Sequence, residues 1–176
     1  MKLIRSKPTA EGVIPGEIAG PRYSWKVLVV DDEADIRTLT RLNLKGFGFD
    51  GRELQILEAA SAHEARQVLA EHDDIAVALI DVVMETDDAG LRLVEYIRQE
   101  LNNKMIRLVI RTGQPGVAPE RYVIDNFDID DYKDKTELTA TRLYTTVRSA
   151  LKAYRDLKTI DLNRIGLSRV LNAAPD

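Results

Sequence analysis

Side chains capable of chemistry follow the apolar runs of this sequence, at the point where each run ends. They are three carboxylates, one hydroxyl and one ammonium group: Asp31, Asp32, Asp81, Thr112 and Lys135. Three carboxylates in one place repel each other unless a cation lies among them. Mg²⁺ prefers one or two carboxylates together with waters and a phosphate, and a hydroxyl and a lysine suit a phosphoryl group. An aspartate can also form an aspartyl-phosphate, so Asp81 is a candidate phosphoacceptor.

Each of these residues also has an ordinary structural interpretation when it is considered alone. Asp31 and Asp32 could cap a following helix, and Asp81 could be a loop acid. Thr112 could bond to the backbone at a strand end, and Lys135 could be a solvated lysine. Their joint placement at four strand ends favours a shared site over these separate interpretations.

The surrounding sequence predicts the elements that bring these residues together, because apolar runs alternate with segments of helical periodicity. Strands are predicted at 26–30, 54–59, 75–80, 105–112 and 127–133, and helices at 34–44, 61–72, 89–101, 119–126 and after Thr136. The first helix is predicted to bury Ile36, Leu39, Leu42 and Leu44. Helix-length connections imply parallel pairing and right-handed crossovers. The expected fold is α/β, a doubly wound (βα)5 parallel five-stranded sheet of flavodoxin-like order 2-1-3-4-5.

Composition and charge exclude several classes of protein. A length of 176 residues suits one domain with extensions, and the net charge of −4 argues against a general nucleic-acid binder. Because cysteine is absent, disulfides and cysteine-based zinc sites are excluded. The sequence has no apolar run of about 18 residues and no apolar secretion signal at its start. These features predict a cytoplasmic protein that binds neither nucleic acid nor membrane.

The sequence resembles the receiver domain of two-component response regulators over roughly residues 25 to 155. The resemblance rests on four motifs in the family's order and spacing: "VLVVDDE", "ALIDVVM", "VIRTG" and "DDYKDKTEL". It implies that Asp81 is the phosphoacceptor and that Lys135 pairs with the phosphoryl group. It also implies that Thr112 moves onto the phosphoryl group, and that Tyr132 is the switch aromatic that turns inward when Thr112 moves.

The same resemblance implies a Mg²⁺ site beside the phosphoacceptor. Its ligands would be Asp32, Asp81 and the backbone carbonyl of Val83, with Asp31 acting through a water. Because Mg²⁺ favours carboxylate and carbonyl oxygens, this ligand set agrees with the chemistry expected from the residues alone.

The sequence departs from the family in the loops that frame the site. Receivers usually have Met-Pro after the phosphoacceptor and then a glycine, whereas here Glu85 replaces the proline and one additional residue precedes Gly90. Thr136 stands where a proline usually follows the lysine. Three roles remain open for Glu85, Asp87 and Asp88: they attract Mg²⁺, they select a kinase, or they form a solvated loop.

Three longer motifs resemble one subgroup of receivers in particular: "DVVMETDDAGL", "RTGQPGVAPE" and "DYKDKTELT". In that subgroup the receiver precedes a domain of unassigned function and then an HD-type cyclic-di-GMP phosphodiesterase, and "RDLKTIDLNRIGLSRVL" resembles the start of the middle domain. The implied partners are a sensor histidine kinase or phosphotransfer protein and an output domain later in the same chain. The alternative is a self-sufficient single-domain receiver that acts as a phosphorelay or adaptor protein. In both cases this chain is regulatory, not an enzyme.

The expected domain organisation is an irregular arm at 1–24, a receiver domain at 25–157, and a linker or the start of a following domain at 158–176. The segment 137–163 contains neither glycine nor proline and predicts a helix longer than the sheet requires. A 4-3-4-3 spacing, which is typical of a coiled coil or of a core-facing stripe, joins Leu143, Val147, Ala150, Tyr154 and Leu157. A homodimer through this helix is therefore possible.

Other catalytic classes lack residues that they need. A haloacid-dehalogenase-type phosphatase requires a second aspartate two positions after its nucleophile, where this sequence has Val83. A dinucleotide or P-loop enzyme requires a glycine-rich turn after the first strand, which is here "DDEAD". A dimetal HD site requires several histidines, but the chain has only His63 and His72.

Overall fold

The computed structural model describes residues 23–113, 119–137 and 139–172. Its strands are β1 (Trp25–Val30), β2 (Gly48–Phe49), β3 (Arg52–Ala59), β4 (Ile75–Asp81), β5 (Arg107–Thr112) and β6 (Asp131–Asp134). Its helices are α1 (Ala34–Asn43), α2 (Ala62–Glu71), α3 (Ala89–Glu95, continued by a π-helical turn over Tyr96–Glu100), α4 (Glu120–Asn126) and α5 (Ala140–Asn172). Most of the predicted arm 1–24 and the end of segment 158–176 lie outside the described residues.

The strands form one sheet in the order β2-β3-β1-β4-β5-β6. Five of them are parallel, since β1 pairs with β3 and β4, and β5 pairs with β4 and β6. The predicted order 2-1-3-4-5 is thereby confirmed for the parallel strands.

The expected count of five strands is wrong by one, because β2 adds a short antiparallel partner to β3. At two residues, β2 is too short to show the alternation by which strands are found in a sequence. The turn between them contains Asp50 and Gly51, both with positive φ. An Asp-Gly pair is a strong hairpin signal because both positions tolerate the left-handed region, so the hairpin was readable from the sequence.

Two apolar clusters lie on the opposite faces of the sheet. One joins the strands to α2, α3 and α4, and the other joins them to α5 and to the end of α1. The central strand β4 is buried at all seven positions, as a parallel strand covered on both faces must be. This packing fixes the directions of β1, β4 and β5, and so the places where their carboxyl ends emerge.

The predicted buried face of α1 is partly wrong. Leu39 and Leu42 are 54% and 59% exposed, whereas Thr40 and Leu44 are buried. Thr40 faces the sheet at a place where the buried neighbour is the side chain of Arg111, which donates a hydrogen bond to the threonine hydroxyl. Because the side of α1 that faces the sheet makes a polar contact and not an apolar one, hydrophobic periodicity alone gave the wrong face.

The long helix α5 packs against the sheet only in its first half. Leu143, Val147, Ala150 and Tyr154 are buried in the core, as their spacing predicts. The later apolar side chains are exposed: Ile160, Leu162, Ile165 and Leu167. With 33 residues, α5 is about 50 Å long at 1.5 Å per residue. Neither α5 nor any other helix in the described part of the chain has an apolar stretch that could cross a membrane.

Candidate phosphorylation site

The carboxyl ends of three strands bring the predicted charged residues together. Asp31 follows β1, Asp81 is the last residue of β4, and Lys135 follows β6. The Nζ atom of Lys135 lies 2.8 Å from Asp81 Oδ2 and 3.0 Å from Asp31 Oδ2. Residues separated by more than fifty positions in the sequence therefore contact one another directly.

Asp31 and Asp81 belong to a group of four carboxylates. Asp31, Asp32, Glu33 and Asp81 each offer an oxygen, and these oxygens lie within 4.8 Å of one another. Asp31 and Asp81 are buried while Asp32 and Glu33 are exposed, so the group spans from the interior to the surface. A compact set of hard oxygen donors, open on one side, fits Mg²⁺ with its retained waters.

Glu33 belongs to this group although sequence reasoning did not single it out. Lys135 Nζ lies 3.0 Å from Glu33 Oε1, a distance comparable to its contacts with the two buried aspartates. The third acid of "DDE" was the available signal. A solvated carboxylate at the start of a helix is common, so this signal alone is weak.

The pKa values of Asp81 and Lys135 reflect their burial and their mutual attraction. Burial raises the pKa of the Asp81 carboxyl group; the hydrogen bond and charge of Lys135 oppose this, and the charge of Asp31 adds to it, leaving the pKa raised. Burial alone would lower the pKa of Lys135, but its hydrogen bonds to Asp81, Glu33 and Asp31 outweigh burial and raise it. Lys135 is therefore held firmly as a cation beside a carboxylate that has lost much of its hydration.

Thr112 and Tyr132 lie on the neighbouring strands β5 and β6. Both are buried, and their side-chain hydroxyls hydrogen-bond to each other. Burial raises the pKa of the Tyr132 phenol, so the ring is neutral at ordinary pH. The ring points inward in this structure and packs with the core cluster on the α2, α3 and α4 face.

The loop after Asp81 explains two of the departures from the family. Gly90 lies so close to the backbone of Asp81 that a Cβ would be 1.9 Å from the carbonyl oxygen. No other residue type fits there, so Gly90 is the glycine that the loop needs. The carboxylate of Glu85 accepts a hydrogen bond from the backbone N–H of Ala62, 3.0 Å away, at the first turn of α2.

The remaining loop residues take separate positions. Asp88 accepts a hydrogen bond from the Thr86 hydroxyl and pairs with Arg92, so it is bound within its own loop and helix. Val83 is half-buried next to the site, and the role of its carbonyl as a metal ligand stays a prediction.

One more buried residue was missed. Arg111, just before Thr112 on β5, is 3% exposed and its Nη2 lies 3.6 Å from Asp31 Oδ2. A charged residue within the apolar run "LVIRT" was the signal, since arginine is almost never buried without a partner.

Two curated proteins are similar in sequence to this chain, although no family model matches it. The 3'3'-cGAMP-specific phosphodiesterase 2 of Vibrio cholerae is 55% identical over 150 residues, which are 85% of this chain and 29% of that protein. The response regulator protein PilR of Pseudomonas aeruginosa is 32% identical over 122 residues, which are 67% of this chain and 26% of that protein. The chain thus spans less than a third of the length of either relative.

Solved structures show the same fold. A putative two-component system response regulator/GGDEF domain protein is 26% identical with a TM-score of 0.63, covering 75% of this chain and 51% of its own. A response regulator receiver domain protein from Clostridium thermocellum has a TM-score of 0.63 at 22% identity, covering 76% of this chain and 98% of its own. Together with the parallel strand order, these relatives show that the chain belongs to the receiver-domain family of two-component response regulators.

Proposed function

We propose that this chain accepts a phosphoryl group on Asp81 in a Mg²⁺-dependent reaction. The observation that carries the proposal is the contact of Lys135 Nζ with Asp81 Oδ2 at 2.8 Å, within a group of four carboxylates. A carboxylate oxygen of Asp81 attacks the phosphorus, while the bond from phosphorus to the donor breaks. The donor is a histidine kinase, a phosphotransfer protein or a small phosphodonor; a phosphohistidine leaves as neutral imidazole with a proton taken from water, and acetyl phosphate leaves as acetate.

The residues around Asp81 would together neutralise the negative charge of the transferred phosphoryl group. Asp32 and Asp81, with the Val83 carbonyl, would hold Mg²⁺ directly and Asp31 would hold it through a water; the metal would supply positive charge for the phosphoryl oxygens. Lys135 already lies within hydrogen-bond distance of Asp81, so it would exchange a carboxylate oxygen for a phosphoryl oxygen with little movement.

Phosphorylation would then act on Thr112 and Tyr132. The phosphoryl group adds about −1.5 to −2 charges at one point, and a hydroxyl can turn to bond with it. The bond that joins the two hydroxyls supports a coupling between the two side chains, because a rotation of Thr112 toward Asp81 would break it and leave the inward-pointing ring without this partner. Structures with and without beryllofluoride test the switch: the two side chains should differ in rotamer, and identical positions would contradict it.

The acceptor assignment is tested with acetyl phosphate or beryllofluoride and Mg²⁺. The intact chain should gain one adduct by mass, and Asp81→Asn should gain none. Asp87→Asn is the matched control, since it removes an exposed carboxylate from the same loop. An adduct that forms equally on Asp81→Asn would refute the assignment.

The output of the receiver is proposed from its relatives and from α5. We infer a regulatory role in the cytoplasm, in which phosphorylation controls a cyclic-dinucleotide phosphodiesterase later in the same chain. The Vibrio cholerae relative carries such an activity in its name, with 3'3'-cGAMP in place of the cyclic-di-GMP expected from the subgroup. The exposed second half of α5 would be the lever or the homodimer contact.

Two measurements test this role, and the second also separates it from the self-sufficient receiver. The 176-residue protein should hydrolyse neither cyclic-di-GMP nor 3'3'-cGAMP, with or without phosphorylation. The gene should continue past the codon for Asp176 into the output domain. A stop codon at that point would favour the self-sufficient receiver, whereas hydrolysis above background would contradict both regulatory roles and indicate an unrecognised enzyme.

A further inference from the structure

Arg111 is a buried cation directly beneath the carboxylates of the site. Its Nη1 atom donates a hydrogen bond to the Thr40 hydroxyl at 2.9 Å, and its Nη2 lies 3.6 Å from Asp31 Oδ2. Asp31 is fully buried, so little water separates the two charges. The arginine therefore approaches the acidic group from the interior, while Lys135 approaches it from the side of β6.

The hydrogen bonding of Arg111 is incomplete. In the described part of the chain, its buried Nε and Nη2 atoms donate no hydrogen bond to a protein group, and Asp31 Oδ2 meets Arg111 Nη2 and Lys135 Nζ only as ion pairs, at 3.6 and 3.0 Å. Buried polar groups are nearly always bonded, and an exception calls for an explanation. A side chain retained only for stability would be expected to use these donors, so the geometry suggests that the charge itself is needed.

The formal charges of the pocket indicate what the positive charge of Arg111 does. With every carboxylate ionised, the four acids carry −4, which Lys135 and Arg111 together reduce to −2. One divalent cation would then bring the pocket to neutrality. Without Arg111 the metal-free pocket would carry −3, and would attract a divalent cation more strongly while repelling an incoming phosphoryl group more strongly.

We propose that Arg111 is a positioning residue of the phosphorylation site, which holds Asp31 from beneath and sets the affinity of the pocket for its divalent cation. The inference rests on the proposed function and deepens it. Arg111 touches neither the phosphoryl group nor the metal; it acts through Asp31.

Titration calorimetry with MgCl₂ on the unphosphorylated protein tests the electrostatic part. Arg111→Gln removes the charge and should bind Mg²⁺ about tenfold more tightly, the effect of one nearby charge under partial screening. Arg111→Lys keeps the charge and should bind Mg²⁺ within twofold of the wild type. Arg98→Met is the matched control: it removes another buried arginine, which bonds to the Ile106 carbonyl at the opposite end of β5, and should lower the melting temperature without changing the Mg²⁺ affinity. Equal Mg²⁺ affinities in Arg111→Gln and the wild type would overturn the proposal.

Arg111→Lys tests the positioning part even if Arg111→Gln does not fold. At saturating Mg²⁺ it should react with acetyl phosphate about fivefold more slowly, because a lysine cannot hold both Thr40 and Asp31. An unchanged rate would overturn the positioning role. If the wild type itself forms no adduct on Asp81, the proposed function fails. The Mg²⁺ titrations would still show whether Arg111 sets the affinity of the pocket for the cation.

Discussion

Two buried arginines lie at opposite ends of β5 and differ in how completely they are bonded. At the amino end, Arg98 donates to three backbone carbonyl groups and pairs with Asp130. At the carboxyl end, Arg111 forms one hydrogen bond, to Thr40, and leaves two of its nitrogens unbonded within the described residues. Both side chains are buried, but among these residues Arg98 bonds to more protein partners than Arg111, which has only Thr40 and the longer contact with Asp31.

The difference shows how one sheet separates stability from function. The carboxylate of Asp130 also accepts from the backbone N–H of Leu108 and pairs with Arg107, so Arg98, Arg107 and Asp130 are all tied to fixed partners. At the carboxyl end, four acids share two cations, and their contacts can redistribute when a ligand arrives. We expect substitutions at the amino end to change stability and substitutions at the carboxyl end to change ligand response.

The largest expected effect on stability is at the amino end. Arg98→Met leaves three backbone carbonyl groups without their arginine donor and removes one partner of Asp130, so the free energy of unfolding should fall by about 3 to 5 kcal/mol. Urea denaturation measures the loss. Arg92→Met, which removes an exposed partner of Asp88, is the control and should cost less than about 1 kcal/mol. A loss below 1 kcal/mol for Arg98→Met would show that its bonds do not stabilise the fold.

Magnesium should stabilise the protein through the carboxyl end alone. At a concentration about 100 times the dissociation constant, a ligand that binds only the folded state adds about 2.7 kcal/mol. Asp32→Asn should remove most of this gain, and EDTA should reverse it in the wild type. Asp130→Asn removes a charge of the same sign at the other end and should keep the full response. An equal loss of response in both variants would contradict the separation of the two ends.

The loop that follows Asp81 gives a steric test of the carboxyl end. Gly90→Ala places a Cβ against the backbone of Asp81, so the loop must shift, at a cost of about 1 to 3 kcal/mol, with slower phosphorylation. Gly166→Ala is the matched control, because its position in α5 is open and alanine favours a helix. Denaturation together with acetyl phosphate labelling measures both effects. A fully active, fully stable Gly90→Ala protein would show that the close approach is unimportant.

The sequence predicted the scaffold better than the polar interior. Alternating apolar runs gave the five parallel strands, because hydrophobic burial determines both the pattern and the packing. The β2 strand was not predicted, because two residues are too few to show an alternating pattern, although the turn at Asp50 and Gly51 indicated a hairpin. The face of α1 was assigned wrongly because periodicity counts apolar residues, and Thr40 is buried by a hydrogen bond instead.

The candidate site shows the same limit. Motif spacing located Asp31, Asp81 and Lys135, since the carboxyl ends of parallel strands converge whatever the intervening sequence. The convergence of Glu33 and Arg111 on them depends on side-chain direction, and spacing does not encode it. From the sequence, Glu85 is a departure from the family pattern with no assigned role. Only the position of α2 in the structure shows that its carboxylate bonds to the first turn of that helix.

The smallest predicted effect concerns the single bond that Arg111 makes. Thr40→Val removes the hydroxyl that accepts from the buried guanidinium, so the free energy of unfolding should fall by about 1 to 2 kcal/mol. The Thr40 hydroxyl also donates to the carbonyl of Ile36, one turn earlier. Thr145→Val is the control, because the Thr145 hydroxyl makes the same kind of bond but is exposed, and it should change stability by less than about 0.5 kcal/mol. In an Arg111→Met background, Thr40→Val should cost almost nothing, since its partner is already gone. An unchanged cost in that background would show that Thr40 acts through the α1 backbone alone, and that Arg111 is not linked to α1.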